Sequence, residues 1–167
     1  MRTTITTIIA ATTTAMLIGG AGMAVASARP TAATTAAEHF QEMAASPTSN
    51  QANVIVYGAF TAAGVDTQHN NDTDTFKFPG GSFLVTPKIT SQHQHLNPAT
   101  CLLTATLNIS YTISRGTGRY AGITGSGHAT ISDLEITARG SHSACSLSKT
   151  LLAQQVFASG QGPVTLR

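Results

Sequence analysis

Between residues 103 and 114 the chain alternates without a fault. Leu103, Ala105, Leu107, Ile109, Tyr111 and Ile113 fall on one face, and Thr104, Thr106, Asn108, Ser110, Thr112 and Ser114 fall on the other. Successive side chains of a strand point to opposite sides, so this run is a strand with one apolar and one polar face. A core on one side and water on the other is the habit of antiparallel sheets. At the usual rise per residue the strand is about 40 Å long. That is long for a sandwich and suits a strand coiling around a barrel.

The rest of the chain from Asn53 onward reads in the same period. Val54-Ile55-Val56-Tyr57-Gly58-Ala59-Phe60 is apolar on both faces, which predicts a strand covered on both sides. Thr75-Phe76-Lys77-Phe78, the turn signal Pro79-Gly80-Gly81 and Ser82-Phe83-Leu84-Val85-Thr86 read as a hairpin. From His128 to Ala138 the apolar residues are Ala129 and Ile131, then Leu134 and Ile136. The phase slips at Asp133, as a β-bulge would make it. The stretch from Ala144 to Ser159 has poor period, and Pro163-Val164-Thr165-Leu166 can close the sheet as a last strand. Seven or eight strands with little helix predict one all-β domain, a barrel or a sandwich.

The N-terminal part lacks this pattern. Arg2 is the only charge before Arg29, an apolar run occupies residues 15–25, and Ala26-Ser27-Ala28 follows. A charged start, a short apolar centre and an A-x-A end make residues 1–28 a secretory signal peptide, cut after Ala28 or Ala26. The threonines of its first half leave the apolar part too short for a spanning helix. No later run is long enough to span a bilayer as a helix, so the mature chain is expected to be secreted. Residues 29–51 are rich in Ala, Thr and Ser and read as a flexible leader, with a turn or two of helix between Ala36 and Ala45. The domain assignment is therefore 1–28 signal, 29–51 leader and 52–167 barrel domain.

Charge narrows the partners. Nine basic residues stand against seven acidic ones, and charged residues are 10% of the chain, well under an average protein's share. The basic residues are scattered, which argues against nucleic acid. Cys101 and Cys145 are the only cysteines. In an exported protein an even count favours a disulfide, and closing a loop of this size stabilises by roughly 4 kcal/mol in the chain-entropy model. The alternatives are free thiols or a metal pair, for which neither Cys has His or Cys at motif spacing.

Residues 116–127 hold five glycines, in the order Gly116-Thr117-Gly118-Arg119-Tyr120-Ala121-Gly122-Ile123-Thr124-Gly125-Ser126-Gly127. A phosphate loop would need a closing Lys and Ser or Thr, and a dinucleotide site a following helix. Lying between strands, the segment reads as a barrel corner with Tyr120 as its packing anchor. With Tyr111-Thr112-Ile113 before it, the run Gly116, Thr117, Gly118, Tyr120, Gly122, Gly125 resembles the signature of the allene oxide cyclase and dirigent barrel superfamily. Residues 74–81 and 97–101 are similar to its secreted bacterial branch. The resemblance, over residues 53–167, implies a single antiparallel eight-stranded barrel with an apolar cavity, often trimeric. Members cyclise a fatty-acid epoxide or steer the coupling of phenoxy radicals. No catalytic residue of the family has a motif-anchored counterpart here.

Candidate chemistry is sparse. On a strand His93 and His95 would share a face, but no third ligand sits nearby and the polar segment before Asn97-Pro98 reads as an exposed loop, so no metal is expected. The segment from His69 to Asp74 resembles a calcium loop only loosely and reads as a plain hairpin loop. Asp133 and Glu135, near Arg115 and Arg139, read as surface ion pairs. No cofactor is expected. Three functions fit these residues. The first is a barrel that binds a small hydrophobic molecule through Tyr57, Phe83, Leu107, Ile109 and Tyr111. The second is an isomerase or cyclase of the same fold, or a dirigent-like guide, with Glu135 or Tyr111 as proton donor. The third is a structural or cell-surface protein with a filled core. A charged residue facing inward would separate them.

Overall fold

A computed structural model describes residues 33–44, 50–69, 73–140, 144–146 and 151–167. The signal peptide expected at residues 1–28, and Asn70-Asn71-Asp72 of the loose calcium-loop match, lie outside them.

Eight strands follow one another around a closed barrel, each antiparallel to the next. They are β1 (Thr34–Ala44), β2 (Gln51–Gly58), β3 (Ala62–His69), β4 (Thr73–Phe78), β5 (Gly81–Asn97), β6 (Leu102–Ser114), β7 (Thr124–Thr137) and β8 (Leu151–Leu166). Strand β1 closes the ring, pairing with β8 from Thr34↔Leu166 to Ala44↔Val156 and with β2 from Glu38↔Gly58 to Met43↔Asn53. Closure leaves no free sheet edge where the eight strands overlap. The alternating run predicted over 103–114 is β6, and its odd residues Ala105, Ile109, Tyr111 and Ile113 are buried. The predicted hairpin is β4–β5, although β5 runs on to Asn97 and carries His93 and His95 on an exposed strand, not in a loop.

Three expectations are corrected. The flexible leader is wrong for residues 34–44, which form β1, with no helical turn. The compact unit holding the barrel begins at Thr31, not at residue 52. Alternate residues Glu38 and Phe40 of β1 are buried at 0% and 5% exposure, so a carboxylate fills an inward position of this strand. Strand β2 is covered on one side only: Val54 and Val56 are buried, while Ile55 and Tyr57 are exposed. No bulge falls at Asp133. The β6–β7 register runs unbroken from Ile113↔Gly125 to Leu102↔Ile136, so Leu134 and Ile136 point outward and Asp133 and Glu135 inward.

The core gathers at one end of the barrel. Phe76, Phe78, Phe83 and Tyr120 are buried, and Phe60 packs against them from the β2–β3 connection. Their rings meet mostly tilted or edge-on, as with Phe83 and Tyr120 at 5.7 Å and Phe76 and Phe78 at 6.3 Å. Tyr120 sits on a 3-10 turn (Gly118–Tyr120) that plugs this end. The turn is fixed by Thr117 N donating to Ser82 O at 2.7 Å and Arg119 N donating to Gly80 O at 2.9 Å. Gly118 stands there at φ +56°, and a Cβ on it would run into the Gly80 carbonyl. At the other end Cys101 and Cys145 form a disulfide that ties the β5–β6 loop to the segment after β7.

Candidate functional site

Above the aromatic floor the barrel is not filled. A cavity of about 100 Å³ lies among Phe40, Phe76, Ile109, Tyr111, Glu42 and Asp74. Glu42, Gln68, Asp74, Ile131 and Ala158 also line a neighbouring, wider mouth of about 280 Å³, together with Asp66 and Gln154. The space exists because β7 and β8 place small residues inward. Ala129, Ala158 and Gly160 line it, and Gly127 leaves room for the Tyr111 ring, into which a Cβ there would run.

The polar part of this interior is acidic. Strand alternation brings Glu38 and Glu42 from β1, Asp66 from β3, Asp74 from β4, and Asp133 and Glu135 from β7 to the inner face. Among the described residues every Asp and Glu is buried or half-buried, and every Lys and Arg is exposed. No Lys, Arg or His is among the residues lining the cavity or its mouth. Glu38 Oε2 accepts from Phe60 N at 3.1 Å, while its Oε1 has no partner. Asp66 is 7% exposed and its Oδ1 has no hydrogen-bond partner. Gln154 Nε2 donates to Asp133 Oδ2 at 2.9 Å and to Glu135 Oε1 at 3.0 Å, drawing these two carboxylates together at the rim.

Crowding like charges out of water favours their protonated forms. Burial, and then the Asp74 charge, pushes Glu42 up to about 7. Burial, with the Glu42 and Asp74 charges behind it, pushes Asp66 up to about 8, against a hydrogen bond from the Thr67 backbone. Glu135 is raised by burial and by Asp133. Tyr111, buried and close to Glu38, is pushed up to about 12 and keeps its proton, and its hydroxyl has no partner. Burial thus favours the protonated forms of Glu42 and Asp66, which with the Tyr111 phenol can donate around an apolar space. Among the described residues no three His, Cys, Asp or Glu form a group that could hold a metal ion.

The candidates from sequence divide. Ile109 and Tyr111 line the cavity. Leu107 shares their face of β6, half-buried. Phe83 lies in the floor among Phe76, Phe78 and Tyr120, with its ring packed rather than facing open space. Tyr57 is corrected: Val54 and Val56 take the inner positions of β2, and Tyr57 stacks outside on His39 with ring centroids 4.9 Å apart. Glu135 is inward at the rim, and Gln154, not an arginine, holds it together with Asp133. Arg139 instead donates to Ala99 O. Of Gly116, Thr117, Gly118, Tyr120, Gly122 and Gly125, the first five build the plugged end, and Gly125 opens β7. Sequence reasoning missed Glu42, Asp66 and Asp74. Their signal was the placing of a lone acid two residues from an inward apolar one, as Phe40 stands to Glu42 and Phe76 to Asp74.

No protein-family model matches the chain, and no curated protein or solved structure matches it either.

Proposed function

We propose that this chain is an exported barrel protein that binds a small molecule, apolar over most of its body, in the interior cavity. The observation that carries the reading is the open space between the Phe40–Phe76–Tyr111 wall and the carboxylates. A close-packed interior leaves few voids larger than a water molecule. A concave, mostly apolar space with a few convergent polar groups is the usual form of a small-molecule site. Export rests on the signal-like residues 1–28 and on the disulfide, a bond that persists in oxidising compartments. Membership of the allene oxide cyclase and dirigent barrel superfamily is part of the same proposal. It is supported by eight sequential antiparallel strands and by the glycine segment following the long strand β6.

A native mass spectrum of the protein purified from its own host tests the reading. A retained small-molecule mass is expected, lost in Ile109→Trp, which fills the cavity, and kept in Tyr57→Ala, which lies outside. An empty spectrum, with no uptake of added apolar probes, overturns it.

A second reading is favoured by one observation, the inward placing of Glu42 and Asp66, which burial pushes up to about 7 and about 8. In an isomerase or cyclase of this fold, Asp66 or Glu42 would give a proton to a substrate folded against Phe40 and Phe76. General acids work best when their pKa lies near the working pH. Turnover of an epoxide or a phenolic radical substrate, lost in Asp66→Asn, is the expected result for this reading.

A further inference from the structure

We propose that the far half of β5 is a metal-bridged dimer site: its free edge pairs antiparallel with the same edge of a second copy of this chain, and His93 and His95 of both copies hold one zinc-type ion between them. The site lies on the outer face of the barrel and stands whatever the cavity holds.

Two observations carry it. The first is an open edge. Strand β4 pairs with β5 only from Phe78↔Gly81 to Asp74↔Val85, while β6 follows β5 as far as Asn97↔Leu102. From Thr86 to Asn97, β5 therefore has β6 on one side and no strand on the other among the described residues. Unpaired N–H and C=O groups along such an edge are a template for another strand. The half nearer β4 carries the usual guards, which are Pro87, Lys88 and the register shift between Ile89 and Ser91. The half from Ser91 to Asn97 has no proline or lysine, and all of it but the half-buried Leu96 is exposed.

The second observation is the histidine pair on this same half. His93 lies opposite Thr106 and His95 opposite Thr104, so both imidazoles leave the polar outer face. Thr104 Oγ1 donates to His95 O at 3.3 Å, and Cys101 N donates to Asn97 O at 2.8 Å. The carbonyls of His95 and Asn97 thus point toward β6. Backbone groups alternate along an antiparallel strand, so Gln92, Gln94 and Leu96 turn theirs to the open side. A symmetry axis through Gln94 then pairs Gln94 with the partner's Gln94, and Gln92 with the partner's Leu96, through about six hydrogen bonds. It sets His93 opposite the partner's His95 in non-hydrogen-bonded positions, where side chains stand closest, about 4.5–5.5 Å apart at Cβ. Along each strand the two histidines are roughly 7 Å apart on one face. Imidazoles so spaced can surround one tetrahedral ion at zinc–nitrogen distances of about 2.0–2.1 Å.

One chain supplies only this pair, and among the described residues no three His, Cys, Asp or Glu form a group that could hold a metal ion. The second copy completes the set. Imidazole suits zinc, copper and nickel, and zinc imposes no geometry of its own. Because the same patch serves on both copies, the contact closes at a dimer instead of growing into a filament. The edge from Thr86 to Thr90, about 16 Å long, leaves room for the partner's β5–β6 turn. A foreign extended peptide fits the same edge, but only a second copy brings histidines opposite these two.

Light scattering of the intact mature protein, in EDTA and then in zinc chloride, tests the proposal. The mass in zinc is expected to be about twice that in EDTA, and calorimetric titration should show about one zinc ion per two chains. His93→Gln and His95→Gln should each abolish the doubling, while His128→Gln, exposed on β7, keeps it. Gln94→Pro keeps the imidazoles but removes the N–H on the axis, and should abolish the doubling as well. Unchanged melting curves of the His93→Gln and His95→Gln variants would show that the loss is not one of folding. A mass unaltered by zinc, one ion bound to each single chain, or doubling that persists in His93→Gln and His95→Gln overturns the proposal. Capture of an added extended peptide at β5 with no doubling in zinc overturns it too, and gives the edge to a foreign strand.

Discussion

Tyr57 and Phe83 show how much one position along a strand decides. Both are aromatic residues on predicted strands, and the sequence places both in a ligand pocket. One stacks on His39 outside the barrel; the other is 1% exposed in the floor. Phe83 touches the rings of Phe60, Phe76, Phe78 and Tyr120, so its removal leaves a hole that this interlocked cluster cannot close. Phe83→Ala is expected to cost about 3–5 kcal/mol in urea denaturation. Tyr57→Ala should cost less than about 1 kcal/mol in the same measurement, as an exposed position does. The difference between the two was legible only where neighbours fixed the phase. Around Phe83, alternation with Val85 marks the inner face. Around Tyr57 the run is apolar at every position, and period alone does not say which half faces in.

At the scale of elements the strands fall into two sorts. Strand β6 was legible from end to end because its inner face is apolar and its outer face is threonine, serine and asparagine. Strand β1 was not, because its sequence TTAAEHFQEMA offers alanines and carboxylates where a strand reading looks for large apolar residues. Its place is set by tertiary pairing on both sides, which local propensity does not report. Strand β7 failed in another way. The reading turned Leu134 and Ile136 toward the core and needed a bulge to do so, whereas this stretch of the barrel is acidic within and apolar without. The same cause hid the site, since an acid at an inward position looks like a break in the pattern. Because β1 closes the ring, a chain starting at residue 52 exposes β8 and β2 as free edges. Circular dichroism melting of that shortened chain is expected to show no cooperative transition. A sharp melt close to that of the chain from Thr31 would mean that β1 is dispensable.

The whole molecule should respond to acid in an uncommon direction. A carboxyl whose pKa in the folded chain exceeds its unfolded value holds its proton more firmly when folded. Stability is then greatest below the unfolded pKa and is lost as the pH rises through the folded one. The window is 4.5 to about 7 for Glu42 and 3.8 to about 8 for Asp66. The urea midpoint is therefore expected to fall between about pH 5 and about pH 8, and the double variant Glu42→Gln, Asp66→Asn to flatten that slope. A midpoint that instead rises over this range would show that these acids are ionised and stabilised in the fold. The sorting of charge that produces this behaviour has an outward face too. With its described acids turned inward and its described bases all on the skin, a chain of net charge +2 is electrically lopsided from core to surface. A teichoic-type polymer, a nucleic acid backbone or a sulfonated resin meets only the skin. Each meets the exposed bases Lys77, Lys88, Arg115, Arg119, Arg139 and Arg167 first, with the described acids buried or half-buried behind them.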